Sequence, residues 1–167
     1  MAELLSPPPH RFARRGTLLD GRAYTIAVAE FAHVKYIRTL NIEIFGEERI
    51  INTFSRDDLM MLMAYVEGEP VGFKIGYRES RHTYYSAKGG VLPAYRRLGL
   101  ARIMLEVMIE QVRERGYRHF AYDTFPNKHP GMTTLGLHCG FRVVKADFNT
   151  VYNDFRLRLE KRLIEPR

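Results

Sequence analysis

The stretch GGVLPAYRRLGLARIMLEVMIEQVRERG, residues 89–116, constrains the fold more than any other part of the 167-residue chain. Two glycines and a short apolar run read as a strand, and Pro93 stops it. From about Leu98 a helix is predicted to run to Arg115. Its apolar residues Leu100, Ile103, Met104, Val107, Met108 and Val112 recur at helical spacing, opposite Arg102, Glu106, Glu110 and Arg113. Gly116 is a natural C-terminal stop. A strand that passes directly into an amphipathic helix points to a helix packed on a sheet.

The flanking segments extend this pattern. Asp20-Gly21 between two apolar runs reads as a hairpin turn, and so does the break at Glu67-Gly68-Glu69. Residues 30–45 have helical spacing, through Phe31, Val34, Ile37, Leu40, Ile42 and Phe45. Residues 83–92 and 118–124 read as strands, 130–138 as a short helix that opens on Pro130, and FRVVKA and TVYNDFRLRLEKR as two closing strands. Hairpins followed by a strand–helix–strand crossover predict a mixed, mainly antiparallel α/β sheet flanked by helices. Residues 1–15, with Pro7-Pro8-Pro9, read as a flexible extension, and residues 16–167 as a single domain.

Composition narrows the function classes. One cysteine, Cys139, excludes a disulfide framework and fits a reducing, cytoplasmic compartment. No apolar run is long enough to cross a membrane, and the N-terminus has no continuous apolar core of a secretory signal. The six histidines have no spacing of a known metal motif, so no metal is expected. A net charge of +7 suits an anionic partner. There is no zinc-finger spacing and no aromatic RNA-binding signature, so that partner is not expected to be nucleic acid.

The junction itself has the chemistry of an anion site. The first turn of a helix carries N–H groups without intrahelical partners, and its dipole favours negative charge. Gly99 has no side chain to hold a ligand off, and Arg96 and Arg97 add charge beside the same N–H groups. No Gly-Lys-Ser/Thr follows, so the junction is not a Walker A loop, and it lacks the three glycines of a dinucleotide fingerprint. Gly89-Gly90 inside a strand marks a bulge or a close approach by a ligand.

Residues 91–101, VLPAYRRLGLA, resemble the acetyl-CoA-binding motif of the GCN5-related N-acetyltransferase (GNAT) family. LGLHCGF at 135–141 resembles that family's later signature, which ends in Gly-Phe, and Asn127 matches a residue common ahead of it. The resemblance covers residues 22–162. It implies that coenzyme A pyrophosphate rests on the backbone from Arg97 through Leu98, Gly99, Leu100 and Ala101 to Arg102. It further implies that the pantetheine arm pairs with Gly89, Gly90, Val91 and Leu92, with Arg96 and Asn127 nearby. The implied activity is transfer of an acetyl group from acetyl-CoA to a primary amine of a small molecule or protein. Membrane is not an expected partner, and the resemblance leaves room for a homodimer.

Direct attack by an amine requires a donor to the carbonyl, a base for the amine proton and a proton for the leaving thiolate. The N–H of Gly90 or Val91 is the expected carbonyl donor. Asp123 is the first expectation for the base, followed by Glu48 and its neighbour Glu47. Relatives often place a tyrosine acid where this chain has Gly136. Either another group serves, such as Tyr84, Tyr85 or His138, or the thiolate leaves unaided, or the chain is a poor catalyst. The missing tyrosine also motivates an alternative, a non-catalytic coenzyme A-binding sensor or regulatory module.

Overall fold

The computed structural model describes residues 12–164. Short polar breaks in the first half fold as hairpins. Strands β1 (Phe12–Thr17) and β2 (Ala23–Ala29) are joined through Asp20-Gly21, where the Asp20 carboxylate accepts the Arg22 N–H at 3.1 Å. Strands β3 (Met60–Val66) and β4 (Glu69–Arg78) are joined through Glu67 and Gly68, with φ of 49° and 81°. Two left-handed residues in succession match the twist of the strands they connect. Strands β5 (Thr83–Val91), β6 (His119–Thr124), β7 (Arg142–Asn149) and β8 (Asp154–Arg162) complete one eight-stranded sheet in the order β1-β2-β3-β4-β5-β6-β8-β7.

Every strand pair is antiparallel except β5–β6. The parallel pair is the crossover that contains helix α2 (Leu100–Glu114). Helix α1 (Val34–Phe45) covers one face of the sheet, packing Ile37 and Leu40 on Met61, Met63, Phe73 and Ile75. Helix α2 covers the other, with Met104, Leu105 and Met108 on Leu62, Tyr84 and Phe120. Burial on both faces explains why MMLMAYV in β3 is continuously apolar, not alternating. The short helix α3 (Pro130–His138) joins β6 to β7.

The N-terminal boundary differs from the sequence expectation. Residues 12–15, expected in a flexible extension, belong to β1 and pair with β2, with a register shift between Phe12↔Ala27 and Arg14↔Ile26. Arg14 also reaches Glu106 and Glu110 of α2, at 3.3 and 2.5 Å. FARRGT has no apolar alternation, so its strand character comes from backbone pairing to β2, which side-chain patterning does not register. The remainder of the expected extension, residues 1–11, lies outside the described residues. No helix among the described residues is long and apolar enough to cross a membrane.

Candidate active site

The strand-to-helix junction has the geometry of an anion cradle. After β5 a single 3₁₀ turn, Pro93–Tyr95, leads to Arg97 at φ 62° and Gly99 at φ 93°. Gly99 caps α2 with no side-chain hydrogen bond, and the first turn carries no acid. The helical ladder begins with the Ile103 N–H on the Gly99 carbonyl at 3.0 Å. The N–H groups of Leu100, Ala101 and Arg102 precede that bond and have no intrahelical acceptor. A Cβ at Gly99 would meet no atom within 4 Å. Glycine is therefore required there by backbone conformation, and the space beside the donors is open.

The three arginines at this junction differ. Arg96 folds back to donate from Nε to the Val91 carbonyl at 2.9 Å, which pins the end of β5. Arg102 pairs with Glu106 at 3.0 Å. Arg97 is exposed and makes no ion pair among the described residues. Arg97 and the helix N–H groups fit a pyrophosphate, while Arg96 organises the turn that presents them.

The cleft beside this junction arises from a divergence within the sheet. Strands β5 and β6 pair only over Thr83–Tyr85 and His119–Ala121. The register of β5 on β4 shifts between Ile75↔Lys88 and Gly76↔Ser86, which leaves Ala87 as the unpaired residue. A bulge bends its strand and increases local twist, so β5 swings away from β6 beyond this point. The bulge is at Ala87 and not at Gly89-Gly90. Those glycines are close-approach positions. A Cβ on Gly90 would lie 2.8 Å from Ile44 of α1, and one on Gly89 would lie 3.2 Å from the Lys74 stem. From Ser86 to Val91 one edge of β5 is unpaired, as an extended ligand adding a strand requires.

The cleft encloses about 670 Å³. Ser86, Ala87, Gly89 and Gly90 line it from β5, Ala101 and Met104 from α2, and Tyr122 and Asp123 from β6. Alternation along each strand separates its two sides. Tyr84, Tyr122 and Phe120 belong to the cluster under α2. Tyr85 and Asp123, one residue on, point to the α1 side and meet there, the Tyr85 hydroxyl donating to Asp123 Oδ2 at 2.6 Å. Burial, and then this bond, push the Tyr85 phenol well above its ordinary pKa. Tyr85 therefore stays protonated and orients the carboxylate, leaving Asp123 Oδ1 to accept a proton.

Other expected catalytic residues sit elsewhere. Tyr84 is fully buried under α2, donates to the Asp58 carbonyl at 2.9 Å and packs edge-on against Tyr117. It is a core residue, and its neighbour Tyr85 occupies the site. Glu48 is exposed and outside the cleft wall; Glu47 lines the cleft and pairs with Lys88 at 3.2 Å. Asn127 does not line the cleft. Its amide donates to Asp154 at 2.9 Å and ties the loop after β6 to the start of β8. A one-residue shift in a strand or loop reverses the facing of a side chain, and spacing alone cannot resolve it.

Gly136 has a local cause. A Cβ there would lie 1.9 Å from the Tyr122 hydroxyl. That hydroxyl donates to the Met132 carbonyl in α3 at 2.7 Å. Tyr122 therefore fills the space a side chain at 136 would need, and its own phenol is committed. Lys74 was missed by sequence reasoning. It lies in β4, is 6% exposed and lines the same cleft. A lone lysine in the run VGFKIGYRES is the signal that could have exposed it.

Residues 48–124 match the family model described as an acetyltransferase (GNAT) domain. No curated protein matches the chain. Among solved structures, the ribosomal-protein-S18-alanine N-acetyltransferase from Escherichia coli aligns at TM-score 0.74 and 16% identity, over 86% of this chain and 96% of that one. The GNAT domain of PAT from S. lividans aligns at TM-score 0.73 and 18% identity, over 94% and 99%. A GNAT family acetyltransferase from Elizabethkingia anophelis, solved with acetyl-CoA bound, aligns at 0.71 and 16%, over 83% and 97%. At these identities the likeness is one of fold.

Proposed function

We propose that this chain, which carries a GNAT acetyltransferase domain in the fold of that family, transfers the acetyl group of acetyl-CoA to a primary amine. The observation that carries this reading is the divergence of β5 from β6 into a cleft. The uncapped N-terminus of α2 opens on one side of it, and the Tyr85–Asp123 pair stands on the other. Acetyl-CoA supplies an activated thioester, so no nucleophile from the protein is needed. The α2 N–H groups and Arg97 hold the pyrophosphate, and the free edge of β5 holds the pantetheine arm. The N–H of Gly90 or Val91 polarises the carbonyl. Asp123, oriented by Tyr85, takes the proton from the attacking amine, directly or through water.

The charge of the cleft supports a narrower acceptor class. Arg49, Arg56, Lys74, Lys88, Lys128 and Arg156 outnumber Glu47 and Asp123 on its walls. A polycation is disfavoured there, and an amine that also bears a carboxylate or phosphate is favoured. The test is release of coenzyme A thiol from acetyl-CoA with a panel of such amines, in wild type and Asp123→Asn. Asp123→Asn is expected to lower turnover by roughly 10²–10⁴-fold with acetyl-CoA affinity little changed, the loss shrinking at high pH where the amine is already neutral. Near-wild-type turnover at neutral pH removes Asp123 from this role. Tight acetyl-CoA binding with no thiol release on any amine favours instead the sensor, for which Gly136 is the supporting observation.

A further inference from the structure

Lys74 is at odds with the chemistry of a protein interior. Its side chain is 6% exposed, and among the described residues it makes no hydrogen bond, ion pair or ring contact. An ammonium held in so little water, with no partner beside it, is disfavoured, and its only access to solvent is through the cleft that Lys74 lines. Burial pulls its pKa from 10.5 down to about 8, so it remains largely charged at neutral pH.

Its position gives this charge a use. Along β4, Phe73 and Ile75 pack under α1, while Gly72 and Gly76 face Met104 and Met108 of α2. Lys74 therefore points to the α2 side, where its stem lies against Gly89 of β5. The other cleft-lining groups on that side are Ser86 and Gly89 of β5, Ala101 and Met104 of α2, Tyr122 and Thr124 of β6, and Met132 of α3. None is an anion, and the Tyr122 hydroxyl is committed to Met132. The cleft's carboxylates are held by their own partners, Asp123 by Tyr85 and Glu47 by Lys88. The α2 side of the cleft thus holds a cation, no anion and no phenol free to donate. It is also the side on which the α2 N-terminus opens.

We propose that Lys74 is the acid that receives the departing thiolate of coenzyme A. This rests on the acetyltransferase reading above. As the acceptor nitrogen bonds to the acetyl carbon, the C–S bond breaks and its electron pair stays on sulfur. Lys74 Nζ gives one proton to that sulfur and becomes a neutral amine. Asp123 takes the proton lost by the acceptor nitrogen. Lys74 regains a proton from solvent after the thiol leaves. The acid and the base stand on opposite faces of one cleft.

The test needs no turnover. Coenzyme A bound to the full chain is titrated by the ultraviolet absorbance of its thiolate. In wild type the bound thiol is expected to titrate at least about one unit below free coenzyme A measured in the same buffer, as an adjacent cation requires. Lys74→Met keeps the unbranched stem and removes the charge. In that variant the thiol is expected at or above the value of free coenzyme A, with acetyl-CoA affinity by calorimetry within about threefold of wild type. An ordinary bound thiol in wild type, or the same titration in both proteins, overturns the role of Lys74 alone. Acetylation of Lys74 itself, seen by intact mass with acetyl-CoA as the sole addition, overturns it too and makes the residue an acceptor. Failure of wild type to bind coenzyme A overturns this proposal and the cofactor reading together. An ordinary thiol in wild type overturns the proposal even if the variant does not fold.

Discussion

Replacing Lys74 by methionine is expected to stabilise the protein while removing a group from its candidate active site. Methionine fills nearly the same volume with an unbranched stem, so the packing against Gly89 is kept. What changes is the charge. In the unfolded chain a lysine binds its proton with a pKa of about 10.4. In the folded protein burial brings this to about 8. Between these values the unfolded state binds more protons, so wild-type stability rises with pH. The penalty is full below the folded value and vanishes above the unfolded one. Each unit of difference is worth about 1.4 kcal/mol, which makes the penalty roughly 3 kcal/mol at pH 7 and about 1 kcal/mol at pH 9.5. For a chain of this length the pH 7 figure corresponds to a melting temperature raised by roughly 6–12 °C. Urea denaturation of both proteins at the two pH values measures it. A variant no more stable than wild type at pH 7, or an advantage that does not shrink by pH 9.5, would refute the claim that Lys74 is buried as an unpaired cation.

Two further substitutions probe the cofactor side of the cleft. Gly99→Val forces a branched residue to φ 93° and fills the open space beside the α2 donors. It is expected to cost about 1–2 kcal/mol of stability and at least about tenfold in coenzyme A affinity by calorimetry, and unchanged affinity in folded protein sinks the pyrophosphate assignment. Gly136→Ala sets a methyl 1.9 Å from the Tyr122 hydroxyl. Overpacking of about 1–3 kcal/mol is expected to outweigh the roughly 1 kcal/mol that alanine contributes in a helix, and the loss should shrink in a Tyr122→Phe background. A stabilised Gly136→Ala in the wild-type background contradicts that account of the missing tyrosine.

The element order and the anion cradle were legible because their signals are local. The hairpin turns at Asp20-Gly21 and Glu67-Gly68, the 3.6-residue period of α2, and the Arg-Arg-Leu-Gly entry all express backbone preferences of neighbouring residues. The candidate catalytic residues were only half legible. Asp123 was singled out as a base, while Tyr84 and Tyr85 were both offered as stand-ins for the missing acid; they differ by one position and face opposite sides of the sheet, and only Tyr85 reaches Asp123. Glu48 was chosen over Glu47 for the same reason, since a loop has no period from which facing can be read. Residues 12–15 were assigned to an extension because an edge strand held by backbone pairing leaves no apolar pattern.

The sequence by itself determined where strands pass into helices and where a helix begins without a cap, since those follow from glycine, proline and apolar spacing within a few residues. Only the tertiary structure decided what the cleft contains. The Ala87 bulge turns β5 from β6, Tyr122 excludes a side chain at 136, and Lys74 is buried across from Asp123. Each of these depends on residues far apart in the chain meeting at one register of the sheet. Burial and charge acquire their energies from such meetings, so no local pattern encodes them.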